Sequence, residues 1–178
     1  MIDVQKAFDD PRMGKRNNPE AEKNIARLLE AWRKSGRPVI HVRHDSVEAG
    51  SLLGPGRPGN EIKAEAQPQT GETVIGKHVN SAFIGTDLER QLRSAGRDCV
   101  VCVGLTTDHC VSTTARMAGN LGFKTIVVAD ATAMFDRQSY DGSLVPAAEI
   151  YRGALASLHG EFAEITTTDA VLNGIRNS

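Results

Sequence analysis

A cysteine stands inside the run Gly104-Leu105-Thr106-Thr107-Asp108-His109-Cys110-Val111-Ser112-Thr113-Thr114-Ala115-Arg116. The apolar stretch Cys99-Val100-Val101-Cys102-Val103 leads into it and reads as a buried strand ending in a polar turn. Thr114, Ala115, Ala118 and Leu121 follow Cys110 at helical spacing, so a helix is expected to begin near the thiol. A thiol at a helix N-terminus feels the positive end of the helix dipole, and the expectation is therefore a thiolate. The N–H groups of the same turn are free and could hold a developing oxyanion. One strand–turn–helix unit thus offers both a nucleophile and an oxyanion hole.

Such a unit needs a scaffold, and the chain supplies alternating strand-like and helix-like segments. Asn18-Pro19 reads as a cap with proline at the first helical position, followed by an apolar face of Ile25, Leu28, Leu29 and Trp32 that ends at Gly36. Pro38–Val42 and Thr73–Ile75 read as strands, separated by a Gly- and Pro-rich loop from Asp45 to Thr70. A helix from about Thr86 turns Leu88, Leu92 and Ala95 inward and stops at Gly96. Lys124–Val128 gives another strand. A helix carrying Ala147, Ile150, Ala154, Leu155 and Leu158 stops at Gly160, Phe162–Ile165 gives a last strand, and Thr168 caps a terminal helix. This alternation implies βαβ units, hence a parallel sheet with helices on both faces and ligands beyond the carboxyl ends of the strands.

Composition narrows the function classes. With 178 residues the chain makes one domain, 1–178, with a full core. A net charge of -1 gives no electrostatic footprint for nucleic acid or an anionic membrane. No apolar run approaches a membrane span, no signal-peptide pattern opens the chain, and three cysteines without scaffold spacing fit a reducing compartment. The expected location is the cytoplasm.

Three patterns resemble other sites and fail on context. Gly54-Pro55-Gly56-Arg57-Pro58-Gly59 matches a dinucleotide fingerprint, but its prolines and long loop deny the strand and helix that motif needs. Cys99 and Cys102 spell a C-x-x-C that a strand would place on opposite faces, so both read as small buried hydrophobes. His41, His44 and Asp45 could ligate a metal, yet the only other nearby candidate is His78, and no H-x-x-x-H or second carboxylate pair completes a set. No metal and no cofactor are expected.

Read together, Ile2-Asp3-Val4-Gln5-Lys6-Ala7-Phe8, Gly76-Lys77-His78-Val79-Asn80-Ser81-Ala82-Phe83 and Gly104 to Arg116 resemble the isochorismatase-like cysteine hydrolase superfamily, over nearly the whole chain. Within it, the long Ser51–Gly56 loop and the lack of further histidines after strand two resemble the metal-free branch. That branch includes the streptothricin hydrolases and N-carbamoyl amidohydrolases. The resemblance implies a three-layer α/β/α Rossmann-like fold with a mostly parallel six-stranded sheet in the order 3-2-1-4-5-6. It also implies a catalytic triad of Asp3, Lys77 and Cys110, a cis peptide bond at Leu105–Thr106, and oxyanion donors from the Thr106 and Cys110 N–H groups. Phe8, Asn80, Phe83, Phe135 and Tyr140 are candidate pocket walls. The implied activity is hydrolysis of an amide, ureido or lactam C–N bond of a small molecule through a thioester. Vinyl-ether hydrolysis of the isochorismatase type and a non-catalytic binding or assembly module are the alternatives. A homo-oligomer, dimer or tetramer, is implied by the resemblance alone.

The N-terminus raises a separate expectation. Only Met1 and Ile2 precede Asp3, whereas a central parallel strand needs about five residues. The sequence therefore suggests a native product that starts several apolar residues upstream.

Overall fold

In the computed structural model, which describes residues 1–177, parallel strands are flanked by helices on both faces. β1 (Ile40–His44) pairs in parallel with β2 (Thr73–Lys77). β3 (Cys99–Leu105) pairs with β4 (Lys124–Ala133), and β4 with β7 (Glu164–Thr166), again in parallel. A short antiparallel hairpin, β5 (Arg137–Gln138) with β6 (Leu144–Val145), stands apart from these strands; nothing in the sequence reading anticipated it.

The two strand groups meet at a single residue. Ile2 bridges Val42 on one side and Gly104 on the other, both in parallel sense. A one-residue bridge thus stands where the expected six-stranded order has a full first strand. On its carboxyl side the pairing stops at Asp3, which turns out of extended geometry with a φ of 49°. Gly104 makes the approach possible: its φ is 132°, and a Cβ there would collide with the Ile2 carbonyl.

Alternation along the strands builds a core on each face. Val101, Val103 and Val128 pack toward α1 (Ala21–Lys34) and α5 (Thr168–Arg176) through Ile25, Leu28, Leu29, Val171 and Leu172. Cys102 and Val127 face α4 (Ala147–Leu158), with Val111 and Ala115 beside them. Val42 and Ile75 face α2 (Leu88–Ser94) through Leu88 and Leu92. The apolar faces read from the sequence are therefore placed as expected, with a few exceptions. Ala95 is exposed, just past the end of α2, and α4 fully buries only Ala147 and Leu158. Cys99 is exposed while Cys102 is buried, so only the second is a core residue. The cap of α5 is Thr167, whose side chain accepts from the Ala170 N–H; Thr168 instead donates to Asp130. The helix after Asn18-Pro19 starts two residues later than the cap suggested, at Ala21. Among the described residues, no helix is long and apolar enough to cross a membrane.

Candidate active site

Three strand ends converge where the bridge crosses the sheet. Asp3 follows Ile2 directly, and its N–H donates to the Val42 carbonyl at 2.9 Å. Lys77 is the last residue of β2. Cys110 lies beyond β3, in a π-helical turn over Thr107–Val111 that leads into α3 (Ser112–Asn120). The thiol is therefore two residues ahead of the α-helix, not at its first residue as the spacing suggested. The Val111 N–H reaches back five residues to the Thr106 carbonyl at 3.2 Å, which closes the turn around the cysteine. The Leu105–Thr106 peptide bond is cis, as the resemblance implied.

Lys77 is the hub. Its Nζ lies 2.7 Å from Asp3 Oδ2, 2.9 Å from His44 Nδ1 and 3.3 Å from Cys110 Sγ. The Lys77 and Asp3 side chains are both fully buried, and Cys110 is 8 % exposed. Asn80 Nδ2 approaches the sulfur from the solvent side at 3.6 Å. Neither Asp3 oxygen has a well-aligned hydrogen-bond donor, so the ion pair with Lys77 is the carboxylate's main compensation for lost water.

Charge states follow from that burial. Desolvation raises the Asp3 pKa above the usual carboxylate range, against the pull of the Lys77 ammonium. Burial also pushes the Cys110 thiol up to about 12, with the Asp3 charge adding to it and Lys77 opposing. The expected resting thiolate is thus corrected to a neutral thiol. Burial beside a carboxylate outweighs both the dipole of a short turn and one ammonium. His44 is depressed to about 4 by burial and by Lys77, leaving a neutral imidazole whose Nδ1 accepts from the ammonium.

The residues once weighed as metal ligands have other partners here. His41 Nε2 contacts Glu72 at 2.9 Å, and Asp45 is held by Arg43 and Asn60. Asp3, His44 and Cys110 do bring ligand atoms within 4.8 Å of one another. The Lys77 ammonium is already the cation among those three, which sets the donor cluster against a second positive charge.

The surrounding loop is tied to the same strand end. Gln5, fully buried, donates to the His44 and Asn60 carbonyls and accepts from the His44 N–H. Asn60 donates to the carbonyls of His44 and Leu53. These bonds fold the long segment between β1 and β2 back over the site. Sequence reading missed Gln5 and Asn60, although an amide two residues after Asp3 was a signal to weigh.

Of the candidate pocket walls, only Asn80 reaches the sulfur. Phe8 and Phe135 are buried and stack on each other with centroids 6.2 Å apart, in a cluster with Leu105. Phe83 is not beside the thiol: it stacks on Phe123 and packs with the α2 core. Tyr140 is fully solvent-exposed near the tip of the β5–β6 hairpin, so it walls no pocket within this chain. Arg137, at the base of that hairpin, lies nearer: its Nη2 is 3.2 Å from His109 Nδ1, and its Nε 3.6 Å from Asp108.

Comparison with known proteins identifies the family. Residues 1–170 match the isochorismatase domain. The chain is similar to the isochorismatase family protein YrdC of Bacillus subtilis, at 49% identity over 97% of this chain and 92% of the relative. A solved isochorismatase-family structure from Chromobacterium violaceum superposes with a TM-score of 0.96 at 46% identity, covering 99% of this chain and 92% of that one. N-carbamoylsarcosine amidase from Thermoplasma acidophilum gives a TM-score of 0.73 at 29% identity, over 94% of each chain. The chain belongs to the isochorismatase family of hydrolases.

Proposed function

We propose that this hydrolase cleaves the amide, ureido or lactam C–N bond of a small molecule by cysteine nucleophilic catalysis. The observation that carries the reading is that Lys77 Nζ touches Asp3 and Cys110 at once, in a buried site. A neutral thiol beside a carboxylate of raised pKa is suited to general base catalysis, because Asp3 is then a stronger base than an ordinary aspartate.

In the first step Asp3 takes the thiol proton as Cys110 Sγ bonds to the carbonyl carbon. Lys77 offsets the charge developing on sulfur. The oxygen, now an anion, is held by the N–H groups of Thr106 and Cys110 at the opening of the turn. The tetrahedral species collapses as the C–N bond breaks, and Asp3 returns its proton to the departing nitrogen. Water then attacks the thioester, giving a proton to Asp3; the C–S bond breaks, Asp3 passes that proton to the departing sulfur, and the acid is released from a regenerated thiol. Asn80, at the sulfur's open side, is placed to contact the acyl group. The amidase among the structural neighbours supports C–N chemistry on this fold.

A hydrolysis screen tests the proposal, run with wild type and Cys110→Ala: ammonia release reports on small primary amides and ureides, and the mass gain of one water reports on ring-opened lactams. Turnover by wild type alone, with a thioester adduct trapped by rapid quench and seen by mass, is the expected result. Equal turnover by both proteins overturns it.

A further inference from the structure

The turn at Asp3 leaves the end of β1 short of backbone partners. Val42 points its N–H and C=O at the Met1–Asp3 segment: it donates to the Met1 carbonyl at 2.8 Å and accepts from the Asp3 N–H at 2.9 Å. Alternate residues of a strand face the same side, so the His44 N–H and C=O face that way too. Continued parallel pairing would have His44 donate to the Asp3 carbonyl and accept from the Gln5 N–H. The turn prevents both, because the Asp3 carbonyl accepts from the Gln5 N–H itself, at 2.9 Å.

The Gln5 side chain stands in for the missing peptide group. Its Oε1 accepts from the His44 N–H at 2.8 Å, and its Nε2 donates to the His44 carbonyl at 3.0 Å. A primary amide carries the same donor and acceptor as a peptide. The second amide hydrogen goes to the Asn60 carbonyl at 2.9 Å. Gln5 is fully buried, so these bonds are shielded from solvent. Asn60 also donates to the His44 carbonyl, at 2.9 Å, which leaves the His44 N–H as the group that depends on Gln5 alone.

That backbone carries the imidazole on which Lys77 leans. An ammonium only donates, so the His44 Nδ1 that it meets at 2.9 Å is the unprotonated nitrogen of a neutral ring. Lys77 stands on a flexible four-carbon stem and needs fixed acceptors to keep one position. Besides the reacting sulfur it has two, His44 Nδ1 and Asp3 Oδ2. Gln5 holds both residues, Asp3 through its own N–H and His44 through its side chain.

We infer that Gln5 is a positioning residue for Lys77: its side-chain amide fixes the His44 backbone, and through the imidazole it keeps the ammonium against Cys110. The effect on turnover rests on the cysteine mechanism proposed above, whereas the effect on the thiol needs no substrate. A purely structural role would lower stability and nothing else.

The test uses Gln5→Met, which keeps the length of the side chain and removes both hydrogen-bonding groups, alone and combined with His44→Ala. The readouts are the rate of Cys110 alkylation by iodoacetamide, steady-state kinetics on the best substrate of the screen, and the thermal midpoint. Alkylation is followed by the mass of the Cys110 peptide, since Cys99 is also exposed. Gln5→Met is expected to slow it about tenfold, the drop in thiolate fraction for one unit of pKa, because a displaced ammonium stabilises the thiolate less. The kcat is expected to fall roughly tenfold with KM unchanged. In the His44→Ala background, Gln5→Met should change neither alkylation nor kcat while still lowering the midpoint. If Gln5→Met does not accumulate folded, Gln5→Asn, whose shorter stem cannot span both groups of His44, carries the same comparison.

Unchanged alkylation in a folded variant overturns the inference. So do losses that simply add to those of His44→Ala, which would make Gln5 a packing residue, and a change confined to KM, which would assign it to substrate binding. Turnover retained by Cys110→Ala overturns the cysteine mechanism instead, and the alkylation rates still decide the role of Gln5.

Discussion

His44 and Lys77 stand opposite each other in the β1–β2 register, and His44 Nδ1 lies 2.9 Å from Lys77 Nζ. The register of two parallel strands thus aims the ammonium, since the histidine fixes one side of it while Asp3 and Cys110 take the others. His44→Ala removes that acceptor. A lost hydrogen bond to a charged group is worth about 1.5–3 kcal/mol, so kcat is expected to fall about 10- to 100-fold, with KM little changed. Steady-state kinetics on the best substrate of the screen checks it, and a change confined to KM would place His44 in substrate binding instead.

Cys110→Ala is expected to abolish turnover and leave the fold intact. The thiol is small, and its neighbours Lys77 and Asp3 keep each other as partners. Circular dichroism and thermal melting separate this outcome from unfolding, which would mark the cysteine as a packing residue.

Asp3 and Lys77 act on the thiol with opposite signs. The Asp3 charge raises the Cys110 pKa, whereas Lys77 lowers it. Asp3→Asn should therefore move the iodoacetamide alkylation of Cys110 to lower pH, and Lys77→Met to higher pH. Asp3→Asn nonetheless lowers kcat by about 10²–10⁴, because the proton carrier is gone. A thiol that becomes more reactive while turnover collapses distinguishes a lost base from a lost nucleophile. Shifts in the same direction for both variants would remove one of them from the site.

Activity should survive exhaustive dialysis against EDTA, because the Lys77 ammonium opposes a cation among Asp3, His44 and Cys110. Loss on chelation, with recovery on adding zinc or manganese, would show that the ammonium yields to a metal.

Acid stability depends on a second buried cluster. Burial alone would raise the Glu22 carboxyl, but bonds from Arg16 and Lys63 hold it at about 2, below its ordinary 4.5. A depressed carboxylate stabilises the fold above its unfolded pKa, and that contribution is lost as pH falls from about 4.5 toward 2. Thermal midpoints measured across that window should fall steeply for wild type and less steeply for Glu22→Gln, which starts lower at pH 7. Parallel curves would show that Glu22 is not the acid-sensitive group.

Cys110 was legible from the residues themselves, because an apolar run, a polar turn and a helical pattern surround it, whereas Asp3 and Lys77 were singled out only by the resemblance of their motifs to the family. The His44–Lys77 pairing was not legible, since a register between strands more than 30 residues apart leaves no local periodicity. The charge of the thiol was equally hidden. A helix-start motif suggests a thiolate, but how much water the folded site excludes is a property of tertiary packing. Tyr140 shows the converse error, an aromatic offered as a pocket wall that stands in solvent on a hairpin no periodicity announced.

The bridge at Ile2 has one more consequence. The backbone bonds of Met1–Asp3 that join the β1–β2 pair to β3 also hold the proposed catalytic carboxylate in place. Parting on the β3 side moves Asp3 away from Cys110, and parting on the β1 side moves Lys77 away from both, before any helix need unfold. Heat inactivation is then a report on a seam, and the loss of turnover should precede the loss of helical signal.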